Sequence, residues 1–429
     1  LILILFTLIL NYSYVISLEI NDFVYSVPTS YVFIGLILLL IIIFFIQNIY
    51  FKIKFNLSKY KSNKALLRKE KGYNAFLNGI IALSNKDYKK ANLESKKTSL
   101  YLDSNPSLSM LLKSEIYKTE NKYDQLNLLY EEMIKNKDTE SLALRGLMEQ
   151  YLRAQDYHHA LIYGLKLFNN NPFVEKIYET LVNIIAKTNN WQQLLDLTEK
   201  SFSKKIIDKK NYNLNKSIAF FEIAKIKKYS DVIDAINYIK KALALRSNFP
   251  PYVKVYLDIL IYDKQYNNAK KIFKKFWNAQ PHPEFKNIIF TLADNLDLDI
   301  FQLTKQIINN FDEDSKILLV ESSIASNKWD EARNEIKGLL DTNPKKEVCV
   351  LMAKIEKGDS NNIEKFNSWM FRSKDGTEQK TWVCLISNIA QTEWSSLSQD
   401  GHFNTLEWKR PHMLNQSNFN QKNIFYENR

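Results

Sequence analysis

Apolar positions along this chain fall into two regimes. Residues 31–51, YVFIGLILLLIIIFFIQNIYF, contain no charged side chain. As a helix this run spans ~31 Å, matching a bilayer hydrocarbon core of ~30 Å. A helix of a soluble domain keeps a polar face over such a length. This run has none, which predicts a transmembrane helix. Residues 1–18 are also apolar, interrupted by Asn11, Tyr12, Ser13 and Tyr14. They read as a first membrane helix. The tail of a signal peptide is the other reading, but no small-residue cleavage site precedes Glu19. Residues 1–51 are therefore expected to form a transmembrane hairpin, with spans at about 1–18 and 31–51. The loop between them, residues 19–29, holds two acids and no base. From Gly72 onward the pattern changes to apolar positions at helical spacing, with no long alternating run.

Within that helical part an aromatic-x-x-Ala phrase recurs: Tyr88 with Ala91, Tyr157 with Ala160, Tyr266 with Ala269 and Trp329 with Ala332. Leucine replaces the alanine in Tyr123 with Leu126 and Trp191 with Leu194. The first steps, 88 to 123, 123 to 157 and 157 to 191, are 35, 34 and 34 residues. A period of 34 is that of tetratricopeptide repeats. A second marker agrees: Pro172, Pro281 and Pro344 each follow the repeat alanine by 12 residues. A small residue lets the second helix of a pair pack close to the first. A proline just past that helix cannot continue it. Leu147, Tyr151, Ala160 and Pro172 all stand in register, making this the clearest copy. Roughly eight helix pairs are expected over residues 72–344, stacking into an α-solenoid whose concave surface binds extended peptides or helices of partner proteins.

Charge changes the picture at one place. The net charge is +12, but the chain is rich in Ile, Lys and Asn throughout, which accounts for much of it. The informative cluster is Lys52, Lys54, Lys59, Lys61, Lys64, Arg68, Lys69 and Lys71, opposed by Glu70 alone. It directly follows the second span, so lipid headgroups are nearer phosphates than a nucleic acid. The positive-inside rule places this basic juxtamembrane linker, residues 52–71, and all that follows in the cytoplasm. Membrane lipids are thus expected partners, with Lys52, Lys54, Lys59, Lys61, Lys64 and Arg68 at the membrane surface, and nucleic acid is not.

Candidate catalytic chemistry is missing. There is no G-x-G-x-x-G, P-loop or H-E-x-x-H, and no two glycines stand closer than Gly72 and Gly79. His158 and His159 are adjacent and point apart on a helix, so they make no obvious metal pair. With 9 Gly and 9 Pro the chain is also poor in the turns an all-β fold needs. Its 2 cysteines, Cys349 and Cys384, exclude a disulfide framework. No catalytic residue and no cofactor are expected.

From Thr381 the character changes again. Trp382, Trp394 and Trp408 punctuate a polar, non-periodic stretch. Here the sequence resembles the HemY family, the tetratricopeptide proteins of proteobacterial haem-biosynthesis operons. The phrases that carry the resemblance are ISLEINDFVYSVPTSYVF, KGYNAFLNGIIALSNKDYKKA, LRGLMEQYLRAQDYHHAL, NNWQQLLDL and FNTLEWKRP. It runs from about Leu1 to Pro411 and is strongest from Ile16 to about Leu197. It is similar to alphaproteobacterial members, whose tail resembles a zinc ribbon with two CxxC knuckles. The resemblance places the four ligand positions at Cys384, Ser387, Leu397 and Asp400. Only the first is a cysteine, and structural zinc needs four ligands. No metal is expected here, and residues 381–411 read as a degenerate zinc-ribbon-like segment.

These readings combine into an all-α protein: a transmembrane helical hairpin, a tetratricopeptide-like array over 72–344, a helical connector over 345–380, the short irregular segment 381–411, and a polar tail over 412–429 that reads as disordered. The expected function is a non-enzymatic scaffold at the bacterial inner membrane. The resemblance implies that its protein partners are late haem-pathway enzymes, between which a hydrophobic porphyrin must pass. An adaptor for envelope assembly or secretion, unrelated to haem, would use the same groove.

Overall fold

The computed structural model describes residues 14–20, 23–103, 105–309, 312–340 and 344–411, and its contacts divide the chain into two units, Leu1–Glu140 and Ser141–Arg429. The expected disordered tail, 412–429, lies outside the described residues, as do residues 1–13 of the expected first span.

The first unit opens with two antiparallel strands, β1 (Val15–Ile20) and β2 (Phe23–Pro28). Val15 stands opposite Pro28, and Ile20 opposite Phe23. Residues 15–18, expected in the first membrane helix, are therefore extended, and most of the expected loop 19–29 is the partner strand. The physical reason is local. β-Branched and aromatic residues fill both strands. The Thr29 N–H donates to the Tyr14 carbonyl at 2.8 Å, closing the open end of the ladder.

Among the described residues one helix is long and apolar enough to cross a membrane, α1 (Thr29–Ser84), of 56 residues and with an 18-residue window of mean hydropathy 2.9. It passes without a break through residues 52–71, which were expected to be a linker. That stretch is rich in Lys, Leu, Ala, Arg and Glu, good helix formers, with no Pro or Gly to stop it. The end of α1 is the first helix of the first repeat pair, packed on α2 (Tyr88–Tyr101). The pair of α3 (Ser107–Thr119) and α4 (Tyr123–Met133) follows. Ala82, Ala91, Leu112 and Ile116 form the core between these pairs.

The second unit holds seven further pairs among its described residues. They are α5 (Glu140–Arg153) with α6 (Tyr157–Asn170), α7 (Ile177–Lys187) with α8 (Trp191–Ser203), and α9 (Lys209–Lys227) with α10 (Val232–Leu245). Next come α11 (Pro250–Tyr262) with α12 (Tyr266–Ala279), and the short α13 (Pro283–Lys286) leading α14 (Ile288–Leu296) and α15 (Ile300–Ile307). The last two are α16 (Glu313–Ala325) with α17 (Trp329–Lys337), and α18 (Lys346–Ser360) with α19 (Ile363–Arg372). The fold is an all-α tetratricopeptide-type solenoid. It continues past Pro344: the expected connector contains a pair whose Val348, Leu351 and Ile355 share a core with Ile317, Val320, Ala332 and Ile336.

One local device recurs at the turn inside six of the pairs. The residue two before the repeat aromatic has a left-handed backbone: Lys86, Asn121, Gln155, Asn189, Lys264 and Asn327, with φ between 53° and 59°. This conformation ends the first helix, and glycine would adopt it most readily. Here Lys, Asn and Gln do so. The next residue often caps the second helix through its side chain, as Asp87, Asp156 and Asn190 do. Asp231 and Asp299 cap α10 and α15 in the same way. They reveal two copies with aliphatic leads, Val232 with Ala235 and Ile300 with Leu303. The small position is buried throughout: Ala91, Leu126, Ala160, Leu194, Ala235, Ala269 and Ala332 are all 0% exposed.

After α19 the chain forms a three-stranded antiparallel sheet in the order β4–β3–β5, from β3 (Thr381–Cys384), β4 (Ala390–Gln391) and β5 (Leu406–Lys409). The segment 381–411, expected to be irregular, is thus a small β-knuckle. Trp382, Cys384, Trp394 and Leu406 belong to the same core as the middle of the solenoid.

Candidate partner-binding face

The first helices of successive pairs present their side chains on one side of the second unit, and the C-terminal knuckle lies on that side. Its contacts reach pairs four to seven. The Asn183 carboxamide oxygen on α7 accepts from the Phe403 main-chain N–H at 3.1 Å. On α9 and α11, Phe221, Phe249 and Tyr252 surround Trp394, with ring centroids at 5.3, 5.2 and 5.9 Å, all edge-on. The Lys254 ammonium donates to Glu393 at 2.7 Å. On α13 the Glu284 carboxylate accepts from the Trp382 indole N–H at 2.7 Å.

Burial tunes several groups under the knuckle. His282 is 7% exposed, with its ring beside Trp408 and Trp382 at 4.6 and 6.1 Å. Its Nδ1 accepts from the Glu284 main-chain N–H at 3.1 Å. Burial, with a smaller push from Lys380, lowers its pKa to about 4, so the imidazole is neutral at pH 7. Burial raises the carboxyl pKa of Glu284 and of Asp258, and the phenol pKa of Tyr252 to about 12. Lys254 also loses hydration on burial, but Glu393 outweighs that and its pKa rises. Further along the same face, Lys286 bridges Glu321 and Glu347 at 2.8 and 2.7 Å, tying α13, α16 and α18 together. Lys254, Glu284 and Lys286 are thus engaged in internal pairs.

The four positions that the zinc-ribbon resemblance assigns lie in two turns of the knuckle. In the first turn the Asn388 N–H donates to the Cys384 carbonyl and the Cys384 N–H to the Ile389 carbonyl, both at 2.9 Å. Leu397 bridges Phe403 across the second turn, and Gly401, next to Asp400, has φ +76°. Among the described residues no group of three or more His, Cys, Asp or Glu is arranged to hold a metal ion. Burial pushes the Cys384 thiol up, but hydrogen bonds from Ser387 and Thr405 outweigh it and hold it at about 6. Gln391, 7% exposed, supplies much of the stitching. Its amide donates to the Glu393 carbonyl at 2.7 Å and to Ser395 at 3.0 Å, and its oxygen accepts from the Gln399 N–H at 3.3 Å.

Of the residues assigned to the membrane surface, Lys52 to Lys64 lie on an exposed stretch of α1. Arg68 does something else. Its guanidinium donates to Asp103 and to the Leu100 carbonyl, both at 2.8 Å, clasping α1 to the end of α2. It stands ~26 Å along the helix beyond Phe51. The repeat residues are structural. Trp191 is buried, and Tyr157 packs under the Lys187 ammonium at 4.7 Å. Leu147 is buried, and Tyr151 stacks on Tyr163 and His159. Pro172 and Pro281 follow the ends of α6 and α12. Sequence reasoning missed Asn183, Phe221, Phe249, Tyr252 and Lys254. They sit at ordinary first-helix positions, and nothing local marks them as facing residues 380–410.

No protein-family model matches the sequence, and no curated protein matches it. Among solved structures the chain is similar to the Naa15/Naa10 complex bound to HypK-THB, at 12% identity and a TM-score of 0.43, over 73% of this chain and 51% of that one. The chain thus spans about half the length of that structure. It is also similar to the TPR2AB domain of yeast Sti1 in its pHSP90 complex, at 10% identity and a TM-score of 0.32, over 71% of this chain and 99% of that one. A tetratricopeptide repeat protein from Parabacteroides merdae aligns at 14% identity and a TM-score of 0.26, over 57% of this chain and 98% of that one.

Proposed function

We propose that this chain is a membrane-anchored adaptor that binds protein segments on the first-helix face of its repeats. The observation that carries this reading is that the face already holds a peptide segment, through aromatic, ionic and main-chain contacts spread over four pairs. Such faces recognise extended segments rather than perform chemistry. Anchoring is supported by α1, whose residues 31–51 are exposed on every side. So much bare apolar surface needs lipid around it. The lysines that follow point all round the helix: relative to Lys52, Lys64 is turned by about 120° and Lys54 by about 200°. A collar of this kind suits a helix crossing a headgroup layer, whereas a helix lying flat on a membrane carries its charge on one side. The cytoplasmic side of a bacterial inner membrane is the reading the basic collar supports.

The partners we propose are late enzymes of porphyrin and haem synthesis, on the strength of the HemY-like phrases. Holding them on one scaffold raises their local concentration without new chemistry. Crosslinking in intact membranes, followed by identification of the captured proteins, is expected to recover such enzymes, and deletion of the gene to cause porphyrin accumulation. Normal porphyrin levels together with no haem-pathway partner would reject the role. A periplasm-dependent reporter fused after residue 71 is expected to stay silent, and activity there would reject the topology.

A further inference from the structure

The knuckle fills its place on the repeat face unevenly. Most of it is well satisfied: Trp382 on Glu284, Phe403 on Asn183, and the Gln391 side chain within. Trp394 is different. Its ring is 6% exposed among Phe221, Phe249 and Tyr252, yet its indole N–H is buried with no acceptor among the described residues. Glu393 beside it is mostly exposed and pairs with Lys254 on the face. In the pocket itself one guanidinium nitrogen of Arg246 is likewise buried without a partner among the described residues. The Arg246 guanidinium lies 3.3 Å from the Phe249 ring centroid and holds that ring. The Tyr252 hydroxyl is 3.1 Å from the Ser217 hydroxyl on α9. The pocket thus wants an aromatic ring without a polar hydrogen, next to a carboxylate for Lys254. The chain's own Trp394 meets the shape of that demand but not its polarity.

A buried, unpaired donor costs about 1–3 kcal/mol, which weakens the internal contact roughly 5- to 150-fold. An internal ligand acts at an effective concentration of about millimolar, so a partner competes only if the internal fit is imperfect in this way. We propose that Phe221, Phe249, Tyr252 and Lys254 form a recognition pocket for a partner segment in which a carboxylate directly precedes a phenyl side chain, and that Glu393 and Trp394 occupy it until that segment displaces them. This rests on the reading of the chain as an adaptor. The turn at residues 392–395 must open for the exchange, giving up the Gln391 bonds to the Glu393 carbonyl and Ser395 and the Trp394 main-chain bond to Glu284. The Asn183 bond to Phe403 and the Glu284 bond to Trp382 keep the knuckle in place.

The probes are two synthetic peptides with the sequence of residues 389–397, one native and one with phenylalanine at the position of Trp394. Their binding to the full chain in detergent is measured by fluorescence anisotropy. Glu393→Lys repels Lys254 and touches no core residue. It is expected to open the pocket and strengthen binding of the phenylalanine peptide at least tenfold over the wild-type chain. The phenylalanine peptide is expected to bind more tightly than the native one. Adding Lys254→Met is expected to remove most of the gain. Equal, weak binding to the wild-type and Glu393→Lys chains, both with native thermal melts, would overturn the pocket. So would a wild-type dimer that Glu393→Lys dissociates, since the occupant would then be a second copy's knuckle. Crosslinking from membranes separates the two levels. Partners captured equally by wild type and by Glu393→Lys plus Lys254→Met sink the pocket but leave the adaptor, whereas no partner in either chain sinks both.

Discussion

Asn183 and Phe403 stand 220 residues apart, yet the Asn183 carboxamide accepts from the Phe403 main-chain N–H at 3.1 Å. The same side chain donates back to the Glu179 carbonyl at 2.9 Å, which orients it on α7. The bond fixes one turn of the knuckle to the fourth helix pair. Asn183→Ala leaves the Phe403 N–H without its acceptor, for a loss of about 1–2 kcal/mol in docking. Hydrogen exchange at Phe403 is expected to accelerate roughly 5- to 30-fold, with α7 itself unchanged. Unaltered exchange at Phe403 would mean that the knuckle is held elsewhere.

Acid should loosen the knuckle through His282. Its folded-state pKa of about 4 lies below the ordinary 6.5, so the undocked state binds the proton better. The contribution of His282 to docking is then fully present above about pH 6.5 and is lost as pH falls toward 4, by up to about 3 kcal/mol. The groups facing His282 are Glu284, Lys380, Trp382 and Trp408, with Lys254, Asp258 and Glu393 beyond. Burial raises the pKa of Glu284 and Asp258, and their protonation works in the opposite sense as pH enters the carboxylate range. In the window from pH 6.5 to about 5 the Cys384 thiol of the knuckle, held at about 6, also titrates, so the comparison with His282→Phe, and not the window itself, assigns the transition. A red shift of tryptophan emission across that window is expected in the wild-type chain and not in His282→Phe. An identical shift in both would assign the transition to another group.

The repeat was legible where its markers are chemical. Ala160 and Pro172 announce a close helix crossing and a helix stop, and both do so from composition alone. Val232 and Ile300 went unread because an aliphatic lead replaces the aromatic; only their caps, Asp231 and Asp299, place them in register. The step of 41 residues from Trp191 to Val232 also breaks the period. At the N-terminus, residues 31–51 announce a long apolar helix by lacking charge, whereas residues 15–20 are apolar in a way that suits strand and helix alike. The knuckle's seat was not legible. Phe221, Phe249 and Tyr252 look like any buried repeat residue until residues 381–411 are laid across them.

The turn conformation offers a gain in stability. Lys264 has φ 57° with a side chain exposed to solvent. A left-handed backbone penalises a residue with a Cβ by roughly 1–2 kcal/mol, and glycine recovers part of that after its greater freedom in the unfolded chain is counted. Lys264→Gly is expected to stabilise the α11–α12 pair by roughly 0.5–1 kcal/mol, read as slower exchange of its amides. Asn189→Gly should gain less, since asparagine tolerates this conformation well. Equal or negative effects at both sites would mean that the turn is not strained.

The last two pairs meet where Trp329, the lead residue of α17, lies on the bare backbone of Gly358 in α18. A Cβ at Gly358 would stand 2.2 Å from the indole Cη2 and 2.6 Å from Cζ3. Arg333 pairs with Glu356 at 2.7 Å and Asp359 at 2.8 Å, on either side of that glycine, so α18 is pinned and cannot slide to make room. Two effects then oppose each other in Gly358→Ala. Overpacking against a rigid ring costs about 1–3 kcal/mol, while alanine improves helix propensity by about 1 kcal/mol. With Trp329 present the clash wins and the variant is destabilised. In a Trp329→Ala background the clash is absent, and the same substitution should stabilise. A double-mutant cycle on thermal melts of the full chain, supported by exchange of the α18 and α19 amides, is expected to show this reversal of sign. The same sign in both backgrounds would place the indole away from Gly358 in solution.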